Sequence, residues 1–328
     1  MIQTASNPYL TGISTIAQHP SDLAAQVGNT PLLRLNRIAA DAHLAPGVEL
    51  YAKAEWFNPS GSVKDRPALN IIRTAERQGL LSPGMTLIDS TSGNMGIAYS
   101  MFGASMGYKV KLAIPENASP ERIAILKAYG AELLLTDPLE GTDGALREIQ
   151  KLAKTTSNGT FYAAQYDNPA NWQAHYYTTA NEIWAQTEGR ITHFVAGMGT
   201  SGTFMGTSHR LKELNPDIQV TAMQPDSPFN GIEGLKHMES AVQPGIYRSE
   251  LADMELAIGT EEAYEMARVL ARREGLFLGF SAAAAVAASL HVAQEIISGV
   301  VVTILPDNGY KYVSERFWQS NTQNNQVE

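Results

Sequence analysis

A lysine, two glycine-rich loops and an Asn-Gly turn are the parts of this chain best suited to chemistry. Asn58-Pro59-Ser60-Gly61-Ser62-Val63-Lys64-Asp65-Arg66 reads as a turn feeding a helix that starts near Ser62, with Lys64 in its first turn. The positive end of a helix dipole disfavours a cation there. That field and burial would lower the lysine pKa and favour the neutral amine, the form that attacks a carbonyl. A solvated surface lysine is the competing reading of this segment alone. Asp89-Ser90-Thr91-Ser92-Gly93-Asn94-Met95-Gly96 sets hydroxyls and N–H groups at a helix start, which suits a carboxylate or phosphate. Plain N-capping would explain one polar residue there, not the whole run. Val195-Ala196-Gly197-Met198-Gly199-Thr200-Ser201-Gly202-Thr203 is again strand to helix, with glycines that let a backbone approach an anion. It also satisfies G-x-G-x-x-G at Gly197, Gly199 and Gly202, so a dinucleotide site competes. The acidic residue such a site wants would be Asp226, a poor fit. Leu305-Pro306-Asp307-Asn308-Gly309-Tyr310-Lys311-Tyr312 is either a further site segment or a common turn.

The elements that must position these loops alternate. Strands are expected at 86–89, 109–114, 132–135, 193–196, 219–224 and 300–305. Helices are expected at 94–106, 120–129, 142–154, 172–187, 202–214, 261–274 and 281–297, with an irregular stretch at 225–253. Such alternation predicts βαβ units, mostly parallel sheets, and ligands at the carboxyl ends of strands.

Composition bounds the rest. The 328 residues suggest about two domains at roughly 150 residues each. With 44% hydrophobic and 17% charged residues, the chain is globular rather than disordered. The net charge of −9 argues against nucleic-acid binding, and the absence of cysteine excludes disulfides, thiolate metal sites and cysteine nucleophiles. Scattered histidines offer no H-x-x-x-H pair, so no metal is expected, and there is no G-x-S-x-G elbow for hydrolysis. Trp172, Tyr176 and Tyr177 read as packing. No membrane span or targeting segment is evident, and the expected location is cytoplasmic.

In order and spacing, Gly28-Asn29-Thr30-Pro31-Leu32, NPSGSVKDR, TSGN-x-GI, G-x-GTSGT and PDNGYKY resemble the cysteine synthases, pyridoxal-phosphate enzymes of fold type II. The resemblance runs from about Val27 to Tyr312. It implies an α/β, tryptophan synthase β-like architecture: two three-layer α/β/α domains with the cofactor between them. Residues 58–160 would be a smaller mobile domain. Residues 29–57 with 161–328 would be the larger one, and 1–28 an N-terminal segment with possible dimer contacts. By the same resemblance Lys64 forms the internal aldimine and later removes the substrate α-proton. Gly199, Thr200, Ser201, Gly202 and Thr203 hold the cofactor phosphate. Asn94 bonds the pyridoxal 3′-oxygen, and Asn308 faces the ring nitrogen. Thr91, Ser92, Asn94 and the backbone near Met95 take the substrate carboxylate, with Gln165 at the same site. The implied reaction is β-replacement: an O-activated L-serine passes through α-aminoacrylate, and a sulfur donor adds to give L-cysteine.

The chain departs from the family at Met95, where Thr is common, at Asn308, where Ser is usual, and at Ser281-Ala282-Ala283-Ala284, in place of Ser-Ser-Gly-Ala. Asn168-Pro-Ala-Asn171, His175-Tyr176 and Ile191–Gly197 resemble the O-phosphoserine-using B (M) type, in which Lys236 would pair with the substrate phosphate. A solvated loop lysine is the alternative. O-acetylserine and O-phosphoserine both stay open as substrates, as does the sulfur source: sulfide, thiosulfate or a carrier-protein thiocarboxylate. The resemblance implies a homodimer. Alternatives are a β-replacement enzyme with an amine nucleophile, like the 2,3-diaminopropionate synthases, an NAD-dependent oxidoreductase, or a silent homologue.

Overall fold

A computed structural model describes residues 22–91, 93–156 and 159–319. Ser92, most of the expected N-terminal segment and the polar tail beyond Gln319 lie outside the described residues. Along the chain run β1 (Leu32–Arg34), α1 (Asn36–Asp41), β2 (Gly47–Ala54), α2 (Asp65–Arg77), β3 (Thr86–Ser90), α3 (Asn94–Met106) and β4 (Lys109–Pro115). Then follow α4 (Pro120–Ala128), β5 (Glu132–Thr136), α5 (Gly141–Thr155), β6 (Thr160–Tyr162), α6 (Pro169–Tyr177), α7 (Thr179–Gln186), β7 (His193–Gly197) and α8 (Gly202–Leu214). The last elements are β8 (Gln219–Pro225), β9 (Met254–Ile258), α9 (Thr260–Arg273), α10 (Phe280–Gln294), β10 (Ser298–Leu305) and α11 (Arg316–Gln319).

The apolar run at 300–305 is continuous because β10 lies inside a sheet, between β2 and β7, with Val302 opposite both Tyr51 and Phe194. That sheet has six strands in the order β1-β2-β10-β7-β8-β9, parallel except for the β1–β2 pair. The second sheet is β5-β4-β3-β6, all parallel.

Alternation along the strands covers both faces of each sheet. Val195, Val301 and Leu305 pack with the alanines of α10, whereas Phe194, Val300 and Val302 pack with Ile183 of α7 and Leu211 of α8. In the smaller sheet Leu87 and Leu112 face α2 and α3, whereas Ile88 and Ala113 face Ala145 and Ile149 of α5. Both units are therefore three-layered. Helix α10 is apolar on every side and Ala282–Ala288 are almost fully buried, which explains a run that could be mistaken for a lipid-facing one. No helix among the described residues is long and apolar enough to cross a membrane.

The structure changes several expected elements. The helix expected over 172–187 is two helices, because Thr178 leaves the helical path at φ −118° and ψ −73°. Its hydroxyl bonds back to Ala174 O at 2.6 Å while accepting from Arg66, which holds the break. Trp172 and Tyr176 pack edge-on to one another, but Tyr177 is 66% exposed and packs mainly against Tyr176. The irregular stretch after β8 ends in β9, a mostly exposed edge strand whose alternation is too weak to read.

Candidate functional site

The loops singled out above meet in one cleft of about 440 Å³, at the carboxyl ends of strands from both sheets. Thr91 follows β3, Gln165 lies beyond β6, Gly199 beyond β7, and Pro306 follows β10. All four line the cleft, as do Lys64, Asn94, Met95, Thr200, Ser201, Gly202, Thr203 and Lys236. This is where parallel sheets leave room for a ligand.

Lys64 sits at the N-cap of α2 rather than within its first turn. Residues 62–66 still make tight i→i+3 turns, Asp65 N to Ser62 O at 3.4 Å and Arg66 N to Val63 O at 3.4 Å. The first full helical bond is Ala68 N to Lys64 O at 3.0 Å. Its Nζ makes no hydrogen bond or ion pair among the described residues. Burial lowers its pKa, the charges of Asp307 and Glu55 resist this, and Lys311 adds to the lowering. A free, partly desolvated amine results.

The rest of that motif is structural. Arg66 is buried between Glu55 (Nε–Oε2 2.7 Å) and Glu182 (2.6 Å). Lys53 Nζ reaches Glu182 at 2.7 Å, so two cations match two carboxylates. Asn58 donates to Glu55 Oε2 at 2.9 Å and accepts Gly28 N at 2.9 Å, tying the first motif to the second.

The Thr91 hydroxyl oxygen accepts from both Gly93 N and Gly96 N at 2.9 Å. With its lone pairs so engaged, its proton is free to donate into the cleft. Asn94 is gripped at both ends: Nδ2 donates to Asp307 Oδ2 at 2.7 Å, and Oδ1 accepts from Lys311 Nζ at 2.8 Å. Gln165 donates through Nε2 to Ser90 O at 2.5 Å and through its backbone to Asp89 Oδ2 at 3.2 Å. Burial pushes Asp89 up to about 7.

The loop before α8 forms a cradle. A Cβ on Gly199 would lie 2.2 Å from Gly234 O, and one on Gly202 2.0 Å from Asn171 Oδ1, so only glycine fits. Ser201 takes a left-handed φ of 65°, and its hydroxyl is buried with no partner. Thr200 Oγ1 accepts from Asn171 Nδ2 at 3.0 Å, and Thr203 Oγ1 meets His175 Nε2 at 3.3 Å. Burial and the nearby Arg66 push His175 down to about 3, so it is a neutral partner. An orphaned hydroxyl beside the N–H groups of a helix start fits a phosphate.

Two expectations need correction. Asn308 does not line the cleft. Its Oδ1 accepts Tyr310 N at 3.2 Å, capping the short turn Gly309–Tyr312. Ser281, on the first turn of α10, is the serine that lines the cleft instead. Lys236 does line the cleft but is no free cation, because its Nζ lies 2.6 Å from Asp143 Oδ1. Asp226, the acid a dinucleotide site would need, is exposed and away from the cleft lining.

The sequence reading also missed Arg122, which is 4% exposed, lines the cleft, pairs with Glu233 and lies over the Tyr312 ring. No local signal marks such pairs, since α4 and the loop after β8 meet only in the folded chain. Among the described residues no group of His, Asp and Glu could hold a metal ion.

Residues 23–307 match the family described as pyridoxal-phosphate dependent enzyme. The chain belongs to that family. Over 292 residues it is 51% identical to cysteine synthase of Aquifex aeolicus, covering 88% of this chain and 89% of that one. It is 43% identical to cysteine synthase B of Salmonella typhimurium, over 89% and 94% of the two chains. The crystal structure of a cysteine synthase from Entamoeba histolytica superposes with a TM-score of 0.87 at 37% identity, covering 94% of each chain. The family's cofactor is thus one that the cradle, with its orphaned Ser201 hydroxyl, and the free lysine suit.

Proposed function

We propose that the chain makes L-cysteine by β-replacement on an O-activated L-serine. The observation that carries this is the Lys64 amine, unpaired and pKa-depressed, in one cleft with the orphaned Ser201 hydroxyl and the first turn of α3. Pyridoxal phosphate, attached through its aldehyde to Lys64 Nζ, would supply the electron sink. The Gly199–Thr203 backbone and the Ser201 hydroxyl would hold its phosphate. The substrate carboxylate would sit at the start of α3, taking the Thr91 hydroxyl and N–H groups beside Asn94 and Met95. Gln165, fixed by its bond to Ser90, would turn Oε1 to the substrate. Lys64 Nζ, once released, would accept the α-proton and return a proton to the product. Ser281, rather than Asn308, would be the neutral partner of the ring.

Residues 58–160 are read as the closing unit. Arg122 and Asp143, from α4 and α5, reach across to Glu233 and Lys236, and closure would exclude water during the chemistry. The cysteine synthase relatives favour sulfur over an amine as nucleophile. A cytoplasmic homodimer and a carrier-protein sulfur donor remain expectations of the resemblance. Light scattering of the purified protein tests the first.

The function itself is tested by supplying the cofactor-loaded protein with O-acetylserine or O-phosphoserine and sulfide, and identifying the product. L-cysteine is expected, and its absence with both substrates refutes the reading.

A further inference from the structure

Lys236 and Asp143 form an ion pair across the mouth of the cleft. Asp143 lies in the first turn of α5, on the four-stranded sheet, and Lys236 in the loop after β8 of the six-stranded one. Nζ and Oδ1 are 2.6 Å apart, and the other Asp143 oxygen accepts Val242 N at 3.0 Å. Lys236 is 8% exposed, lines the cleft, donates to Val242 O at 3.4 Å and stands 4.7 Å over the Tyr166 ring. Arg122, the other cation at this rim, is likewise matched by Glu233.

We propose that Asp143 is a positioning residue that sets which leaving group the site accepts, selecting a neutral acyl group against phosphate. The proposal rests on the β-replacement reading of the cleft. A bare lysine at the rim would favour a phosphate by a charge-assisted hydrogen bond. Here a phosphate dianion drawn to Nζ must lie beside the Asp143 carboxylate that already holds it, and like charges brought together in a part-buried site repel. A neutral acyl group asks nothing of Lys236 and leaves the pair intact. Selectivity comes from the repulsive member of the pair as much as from the attractive one.

The test is kcat/KM of the holoenzyme for O-phospho-L-serine and for O-acetyl-L-serine, with sulfide as donor. Asp143→Asn keeps a hydrogen-bond acceptor and drops the charge. It should raise the phospho-to-acetyl ratio by about tenfold. Asp143→Glu should keep the wild-type ratio, and adding Lys236→Met to Asp143→Asn should cancel the rise. A role confined to holding the two units together would move both substrates by one factor. An unchanged or lowered ratio in Asp143→Asn therefore overturns the proposal. Inorganic phosphate titrated into the holoenzyme reads the same contact without turnover: tighter binding in Asp143→Asn supports it, and equal binding overturns it. Failure of the functional reading shows separately, as no L-cysteine from the wild-type protein with either serine derivative.

Discussion

Asn94 Nδ2 donates to Asp307 Oδ2 across 2.7 Å, joining the first turn of α3 to the segment that follows β10. Two motifs far apart in the chain thus share one side-chain bond at the cleft. Asp307 also accepts from Tyr312 at 2.7 Å and is the main charge opposing the burial that lowers the Lys64 pKa.

Removing that charge should push Lys64 further toward the neutral amine. In Asp307→Asn, the rate at which the apoprotein takes up pyridoxal phosphate should therefore begin to rise at lower pH than in wild type. Uptake measured across a pH series checks this. A shift to higher pH would contradict it.

The cradle makes two separable predictions. Ser201→Ala removes a buried hydroxyl that has no partner in the apoprotein, so apoprotein stability should hold or rise slightly while cofactor affinity falls. Gly202→Ala drives a Cβ into Asn171, disturbing the bond from Asn171 to Thr200. It should weaken cofactor binding by about tenfold, as overpacking of roughly 1–3 kcal/mol implies. Fluorescence titration with pyridoxal phosphate and urea unfolding of the apoprotein read the two effects.

Arg66→Met should be the most destabilising change near the site. It leaves fully buried Glu55 without its bidentate cation and Glu182 with Lys53 alone, and breaking such a network costs about 3–5 kcal/mol. Burial alone would raise Glu182, but the hydrogen bonds and charges of Arg66 and Lys53 hold it near 2. Its folded pKa is thus below its unfolded one, so its stabilisation is present above about pH 4 and lost as pH falls toward 2. Urea midpoints of wild type and variant should converge over that range.

His175 gives a pH window of its own. Its pKa is pushed down to about 3, below the ordinary value near 6.5. The unfolded chain takes up a proton before the folded one does, so this contribution is full above about pH 6.5 and drains away between there and pH 3. His175→Asn should flatten that part of the stability curve, as urea midpoints across pH would show.

Much of the site was legible because its chemistry sits in short contiguous segments at strand ends. Lys64, Thr91, Asn94 and the 199–203 loop could be named from turn, glycine and hydroxyl alone, Gln165 only through the family resemblance, and all line one cleft. The misreading of Asn308 has a local cause. An Asn before Gly can point to a ligand or cap its own turn, and the backbone settled on the cap. Lys236 was located, but Asp143, its partner, lies 93 residues earlier and pairs with it only through the packing of α5. Helix ends at Thr178 and Lys64 shifted because tertiary hydrogen bonds and tight turns overrode the periodic pattern. Strands β1, β6 and β9 were missed because they are short and lie at the sheet edges, where alternation is weak, and the interior strand β2 was missed as well.

Every role assigned to the cleft depends on Lys64 carrying the cofactor. Borohydride reduction of the pyridoxal-phosphate-loaded protein, followed by peptide mapping, tests it most directly. A single pyridoxyl label is expected, on Lys64, disappearing in Lys64→Ala. A label on another lysine of the wild-type protein, or none at all, would contradict it.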